Sequence, residues 1–93
     1  MFAVNEYFEG NVKSLSFNPG EEKATVGVMA VGEYEFGTNC VEHMTLVTGA
    51  MAVILPGEKN WKEIEVGETF VVEANVKFKV KIEVECAYLC LYK

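Results

Sequence analysis

The sequence contains no arginine. All eight basic residues are lysines, and fourteen acidic residues give a formal net charge of -6 at pH 7. Nucleic-acid backbones are bound by basic faces that usually include arginine forks, and anionic membranes attract polybasic segments. We therefore expect the chain to bind neither nucleic acid nor membranes. A few lysines and backbone N–H groups still suffice for a local site that binds a small anion.

A basic leader, a long apolar run and an even set of cysteines are also missing. Residues 1–6 predict neither a signal peptide nor a membrane span. The three cysteines, Cys40, Cys86 and Cys90, follow no zinc-ligand spacing. We interpret them as reduced thiols of a cytoplasmic protein.

Helical periodicity is absent as well, and short β-rich runs separated by turn residues replace it. The chain has 93 residues, of which 51% are hydrophobic, so it is long enough for one domain and too apolar to be disordered. About nine short strands are expected. Their ranges are 10–17, 24–29, 32–36, 43–48, 51–55, 61–66, 69–73, 78–84 and 87–92.

This spacing of strands is typical of an all-β sandwich or barrel, here over residues 1–93. Residues 32–55 and 66–82 form two hairpin-rich halves, as in cupin-type antiparallel barrels or jelly rolls. Closure of the barrel would remove exposed strand edges, so we expect a closed barrel with a small molecule in its interior.

A cupin metal centre requires three histidines and a glutamate that converge inside the barrel. Glu42 and Gly49 have the spacing of the first cupin motif, but the expected histidine positions hold Phe36, Thr38 and Phe78. The single histidine of the chain directly follows Glu42 and should point to the opposite face. The sequence therefore excludes an ordinary cupin metal centre.

Glu42 and Tyr88 are the most informative polar residues. Glu42 begins an apolar strand, where a barrel would aim it inward to contact sugar hydroxyls, and the alternative is a solvated carboxylate at a strand end. Tyr88 shares one face of the last strand with Cys90 and Tyr92. It is either a core aromatic or a ligand contact, and Tyr34 carries the same ambiguity.

Residues along almost the whole chain resemble one family, the small cupin-like pyrimidine/purine nucleoside phosphorylases. The matching residues in the first half are Asn5, Glu6, Tyr7, Phe8, Gly10, Val12, Lys13, Ser14, Val26, Gly27, Val28, Met29, Gly32, Glu33, Tyr34, Phe36, Glu42, Met44, Thr45, Val47, Gly49 and Ala50. In the second half they are Leu55, Pro56, Trp61, Phe70, Val72, Phe78, Tyr88, Leu89, Cys90 and Tyr92. The chain departs from the family pattern at Glu73, Val76 and Leu91.

The resemblance implies a cytoplasmic homodimer that cleaves the N-glycosidic bond of purine and pyrimidine nucleosides with inorganic phosphate. The products would be a free base and ribose 1-phosphate, which makes the enzyme a pentosyltransferase. No metal or organic cofactor is implied, and phosphate is a co-substrate.

Six residues form the hypothesis for the site. Glu42 would hold the ribose hydroxyls or support C1′, and Tyr34 and Tyr88 would contact the sugar or the base. Two threonines, Thr38 and Thr45, would donate hydroxyl groups, and Lys23 would attract phosphate. The main alternative is a non-catalytic cupin-like module that binds a small molecule, and a second is a degenerate metal cupin that uses Glu42, its neighbouring histidine and thiols.

Overall fold

The computed structural model describes all 93 residues and consists of β-strands joined by turns and loops. The strands are β1 (Val4–Tyr7), β2 (Val12–Phe17), β3 (Lys23–Met29), β4 (Gly32–Gly37), β5 (Glu42–Ile54), β6 (Lys62–Ile64), β7 (Thr69–Val72) and β8 (Lys77–Tyr92), and a short 3₁₀ turn (Phe8–Gly10) connects β1 to β2. The all-β prediction is confirmed. None of the chain's segments forms a helix with the length and apolarity that a membrane crossing requires.

Two long antiparallel strands, β5 and β8, organise the sheet because each belongs to two half-sheets. Strand β3 pairs with residues 86–92 of β8 and β4 pairs with residues 77–82. On the far side of β5, β7 pairs near its start and β6 near its end. One half-sheet therefore has the order β1-β2-β3-β8-β5-β7, and the other has the order β4-β8-β5-β6.

The inner faces of the two half-sheets share one hydrophobic core. Met29 and Leu46 contribute to it from the first half-sheet, and Val53 and Ile82 contribute from the second. All four side chains are at most 2% exposed. Alternation produces this core, since every second residue of a strand points to the same side.

A bulge in β5 bends the long strand pair between the half-sheets. The pairing of β5 with β8 shifts register between Leu46 and Ala52, and Gly49 lies there with φ +91°. A Cβ at Gly49 would collide with the backbone of Glu85 and Cys86. We expected separate strands at 43–48 and 51–55, and this was wrong, since β5 continues through both ranges. A bulge bends a strand without ending its pairing.

The sheet does not close by hydrogen bonds, so the expectation of a closed barrel was wrong. Strand β1 is an edge strand of one half-sheet and β4 an edge strand of the other, and no hydrogen-bonded pairing closes the seam between these two edges. Side chains bridge the seam instead, because the Phe8 ring lies 4.9 Å from the ring of Tyr34 and 5.5 Å from that of Phe36, centroid to centroid. Because ring contacts, and not strand pairing, join these two edges, the sheet leaves room for an opening into the interior.

Candidate functional site

A cavity opens between the inner face of the first half-sheet and the loop that follows β4. Its inner part has a volume of about 120 Å³ and its mouth a volume of about 440 Å³. The two parts adjoin, since Tyr7, Gly37, Glu42 and Tyr92 line both. The inner part is also lined by Ser14, Met29, Phe36, Met44, Phe78, Tyr88 and Cys90, and the mouth by Asn5, Ser16, Lys23, Thr25, Thr38, Asn39 and Cys40. The cavity is therefore mainly apolar at its inner end and polar at its mouth.

Cross-strand register explains why the charged residues of the mouth are neighbours. Strand β8 ends at Tyr92, which pairs with Lys23 at the start of β3 on one side and with Glu42 at the start of β5 on the other. Directly opposite residues of antiparallel strands have Cβ atoms about 5 Å apart. An amine, a phenol and a carboxylate thus form one row along the rim of the cavity.

Glu42 lies at the boundary between the inner part and the mouth. Its Oε1 atom accepts a weak hydrogen bond from Cys90 Sγ at 3.6 Å. Partial burial raises the pKa of Glu42 above its usual 4.5, and the bond from Cys90 opposes this shift. No cationic partner neutralises the carboxylate, since the three ion pairs of the protein involve other glutamates. Glu42 is therefore available to a ligand that donates hydroxyl protons.

Tyr88 reaches across Gly27 towards β2. A Cβ on Gly27 would lie 2.8 Å from the Tyr88 hydroxyl, so the absence of a side chain there makes this placement possible. Burial raises the pKa of Tyr88 to about 12, although a hydrogen bond with Ser14 lowers it. The Ser14 hydroxyl in turn accepts a hydrogen bond from Asn5 Nδ2 at 3.2 Å. The phenol is therefore protonated near neutral pH and is held by a polar network on β1 and β2.

Tyr92 is connected to β3 in a similar way. Its hydroxyl lies 3.1 Å from Thr25 Oγ1, at hydrogen-bonding distance. Thr25 is only 4% exposed. Burial raises the pKa of Tyr92 further above its usual 10.0, and the bond with Thr25 opposes that shift. The Tyr92 phenol consequently stays protonated near neutral pH, and both residues line the mouth.

The structure brings four of the six predicted site residues to the cavity: Lys23, Thr38, Glu42 and Tyr88. The hydroxyl of Thr38 already donates to the carbonyl oxygen of Glu73 at 2.6 Å, so it fastens the loop and is not open to a ligand.

Two predicted site residues lie elsewhere. Tyr34 is buried in the core, where its hydroxyl donates to the carbonyl oxygen of Ala30 at 2.6 Å. Thr45 bonds to Thr69 on the outer face of the sheet at 2.6 Å. Leu91, where the chain departs from the family pattern, also lies outside the cavity, since it alternates with the inward Cys90 and Tyr92.

Sequence reasoning missed several residues of the cavity, chiefly Asn5, Tyr7, Thr25 and Tyr92. The first two lie on β1, which carries too short a pattern to predict as a strand. Tyr92 was placed on the same face as Tyr88, and that alternation is the signal that points to it. Thr25 has no sequence signal of its own and is identified only by the register of β3 against β8.

The donor set of the cavity offers little to a metal ion. The structure brings together no group of three or more His, Cys or acidic side chains with suitable geometry. His43 pairs with Leu91 and Val71, and it alternates with Glu42, so the two side chains point to opposite faces. A site that joins these two residues does not fit this geometry.

Comparisons with known proteins agree along the full length of the chain. Residues 2–92 match the family model described as pyrimidine/purine nucleoside phosphorylase. A protein of that name from Pseudoalteromonas atlantica is 58% identical over 92 residues, which cover 99% of both chains.

Solved structures support the same relationship. A crystal structure of a Vibrio parahaemolyticus protein of unknown function superimposes with a TM-score of 0.96 at 45% identity, covering 100% of this chain and 99% of that one. An RmlC-like cupin from Shewanella frigidimarina shares the fold, with a TM-score of 0.76 at 20% identity over 98% of this chain and 82% of that one. The cupin-like prediction is thereby confirmed, and the chain belongs to the pyrimidine/purine nucleoside phosphorylase family.

Proposed function

We propose that this protein is a nucleoside phosphorylase of broad specificity, which converts purine and pyrimidine nucleosides and inorganic phosphate to a free base and α-D-ribose 1-phosphate. The observation that carries the proposal is the division of the cavity. Its mouth places a lysine, two hydroxyls and a carboxylate side by side, and its inner end is aromatic and apolar. A nucleoside has the same division, with a polar sugar and a flat base. The names of the relatives point to the same substrates.

The reaction replaces one bond at C1′ by another. A phosphate oxygen forms a bond to C1′ while the C1′–N bond breaks, and the electron pair of that bond stays on the nitrogen of the base. Overall, phosphate loses one proton and the base nitrogen gains one, so the protons balance. The protein accelerates such a reaction by holding both reactants in line and by stabilising the positive charge that develops at C1′.

Glu42 has the central role in this proposal. Its carboxylate lies where the polar mouth meets the apolar inner end, which is the position of the sugar in a nucleoside whose base points inward. There it accepts hydrogen bonds from ribose hydroxyls and stabilises positive charge at C1′. Tyr88 supplies a protonated phenol next to the base or the sugar, and Lys23 attracts phosphate at the rim. Tyr34, Thr38 and Thr45 are no longer part of the proposed set, because their hydroxyls are engaged in other hydrogen bonds.

Broad tolerance for bases follows from the composition of the inner end. Phe36 and Phe78 stack on each other there with ring centroids 5.7 Å apart, and Met29 and Met44 lie beside them. Aromatic and thioether groups contact any flat base, whereas only matched hydrogen bonds would discriminate strongly between bases. A base bound by such contacts is accepted whether it is a purine or a pyrimidine.

Phosphate is the only co-reactant in this proposal, without a metal or an organic cofactor. All the groups invoked at C1′ belong to the chain itself. We expect that treatment with EDTA followed by gel filtration leaves the rate of base release unchanged. A loss of activity that added divalent metal restores would contradict this part of the proposal.

The protein is further proposed to be a cytoplasmic homodimer. Its three cysteines are free thiols, as expected in a reducing compartment. Val4, Leu15, Val26 and Leu89 form a row across the outer face of four neighbouring strands, and Val26 is 41% exposed. A second copy is the partner that would cover this face.

A charge in the middle of that outer face tests the dimer. Val26→Glu should give a folded monomer in sedimentation equilibrium, whereas wild type sediments as a dimer. The control is Val66→Glu, at an exposed position between β6 and β7 that is not part of the row. If Val26→Glu remains dimeric, the assembly uses another surface.

The experiment that tests the function measures base release from inosine, uridine, adenosine and cytidine with and without inorganic phosphate. We expect release with all four only when phosphate is present, together with formation of ribose 1-phosphate. Glu42→Gln should lower kcat/KM at least about 100-fold, the range for one group that stabilises transition-state charge. Glu33→Gln, an exposed substitution outside the cavity, should leave it unchanged. Equal release with and without phosphate would indicate hydrolysis, and thermal stabilisation by nucleosides without turnover would indicate a binding module.

A further inference from the structure

The hydroxyl groups of Thr25 and Tyr92 form a pair at the mouth, and neither has yet been assigned a ligand. Thr25 belongs to β3 and Tyr92 to β8, and their hydroxyl oxygens lie 3.1 Å apart. Both residues line the mouth of the cavity. Thr25 is only 4% exposed, and its bond with Tyr92 provides the hydrogen bond that a buried hydroxyl requires.

A count of protons shows what the pair offers. Each hydroxyl group has one proton to donate, and the bond between the two uses only one of them. The only further partner of the pair is the sulfur of Cys90, a weak acceptor that hydrogen-bonds with the Tyr92 hydroxyl. An anionic oxygen is a stronger acceptor than this sulfur, so one proton is available to an anion in the mouth. Burial keeps the Tyr92 phenol protonated, so the pair acts as a donor throughout the neutral range.

The charges around the pair decide which acceptor it suits. On one side Tyr92 is paired with Lys23, which takes part in none of the three ion pairs, and on the other side with Glu42. An anion that accepts the proton is attracted to the lysine and repelled by the carboxylate, so it lies on the Lys23 side of Tyr92. A neutral sugar lies on the Glu42 side.

We propose that the Thr25–Tyr92 hydroxyl pair binds the inorganic phosphate of the reaction and orients it at the mouth, beside Lys23 and next to the sugar held by Glu42. This rests on the proposed function and assigns the phosphate subsite within it. The ammonium group of Lys23 is on a flexible side chain and attracts the phosphate without fixing its orientation. The hydroxyl pair donates a hydrogen bond from a fixed position. Thr25 acts through Tyr92 as a positioning residue, and Tyr92 contacts the phosphate.

Two variants and one control test the subsite. Tyr92→Phe removes the donor, and Thr25→Val removes the group that orients it while keeping a side chain of similar shape. The control, Thr69→Val, breaks the comparable hydroxyl pair with Thr45 on the outer face. Circular dichroism and thermal melting of each variant establish that it is folded before kinetics are compared.

Steady-state kinetics should separate phosphate from nucleoside. Tyr92→Phe is expected to raise the KM for phosphate about 10- to 100-fold, the range for a hydrogen bond to a charged group, with little change in the KM for uridine. Thr25→Val should raise the KM for phosphate by a smaller factor, and Thr69→Val should leave both KM values unchanged. Calorimetric titration with inorganic phosphate alone should show the same order of affinities.

The outcomes keep this inference distinct from the proposed function. If the wild type shows no phosphate-dependent turnover, the function itself fails. If the wild type is active but Tyr92→Phe and Thr25→Val keep the wild-type KM for phosphate, only the subsite is wrong. A rise in the KM for uridine alone would assign the pair to the sugar and would also overturn the inference.

Discussion

Replacement of Gly27 by alanine tests the close approach of three strands beneath the site. Gly27 lies between Ser14 of β2 and Tyr88 of β8. An added Cβ would lie 2.6 Å from the Lys13 carbonyl oxygen, 2.8 Å from Ser14 Cβ and 2.8 Å from the Tyr88 hydroxyl. Two of these contacts are with backbone or with a Cβ, which cannot swing away, so the strands themselves must separate.

The expected loss of stability follows from two opposing effects. Overpacking of this kind costs about 1–3 kcal/mol. Loss of glycine's freedom in the unfolded chain offsets about 0.4–1 kcal/mol, because Gly27 has an ordinary strand conformation that alanine adopts without strain. The two ranges leave a net destabilisation of about 0–2.6 kcal/mol, and we expect about 1–2 kcal/mol because two of the three close contacts cannot yield. For a domain of this size it lowers Tm by about 4–16 °C.

Thermal denaturation followed by circular dichroism measures this change, and Gly37→Ala is the matched control. A Cβ on Gly37 has its nearest contact at 4.0 Å, so Tm should stay within about 2 °C of the wild type. Gly27→Ala should also lower kcat/KM, since the shift displaces Tyr88 from the cavity. The reasoning is refuted if Gly27→Ala melts at the wild-type temperature, because the strands would then not be as close as the structure shows.

Three further predictions follow from buried ionisable groups. Because burial raises the pKa of Glu42 above 4.5, its favourable contribution to stability is present below that pH and is lost as pH rises through the folded-state pKa. Glu42→Gln should therefore raise Tm at pH 8 although it lowers kcat/KM, and an unchanged or lower Tm would contradict this. Burial raises the pKa values of the Cys86 and Cys90 thiols to about 11 and about 12. Iodoacetamide at pH 8 should therefore label only Cys40 in the native protein and all three thiols after unfolding, as measured by mass spectrometry. Tyr34→Phe removes the hydrogen bond to Ala30 and should lower the free energy of unfolding, measured by urea denaturation, by about 1 kcal/mol. We expect kcat/KM to stay unchanged, and a loss of activity would show that Tyr34 belongs to the site.

Strand content could be predicted from the sequence, but the length of the strands could not. The inward positions of β5 are even-numbered up to Leu46 and include the odd-numbered Met51 and Val53 beyond the bulge. In the sequence, this switch from even to odd inward positions looks like the end of one strand and the start of another. The glycine at position 49 favours the same interpretation. The two cases differ only in whether β8 continues alongside, which is a contact distant in sequence. A local sequence pattern therefore predicts the two short segments of β5, but not that they form one bent strand.

The same limit explains which residues of the site could be predicted. Alternation alone places Tyr88, Cys90 and Tyr92 on one face of β8, and the place of Glu42 at the start of an apolar strand, with the spacing of the first cupin motif, singles it out. That Tyr92 stands between Lys23 and Glu42 depends on register, and a slip of one residue would turn every side chain of a strand to the opposite face. The register is fixed where β3 and β5 begin beside the end of β8. The chemistry of the mouth thus arises from three strand ends that meet at one rim, and substitutions at that rim should change ligand binding more than they change stability.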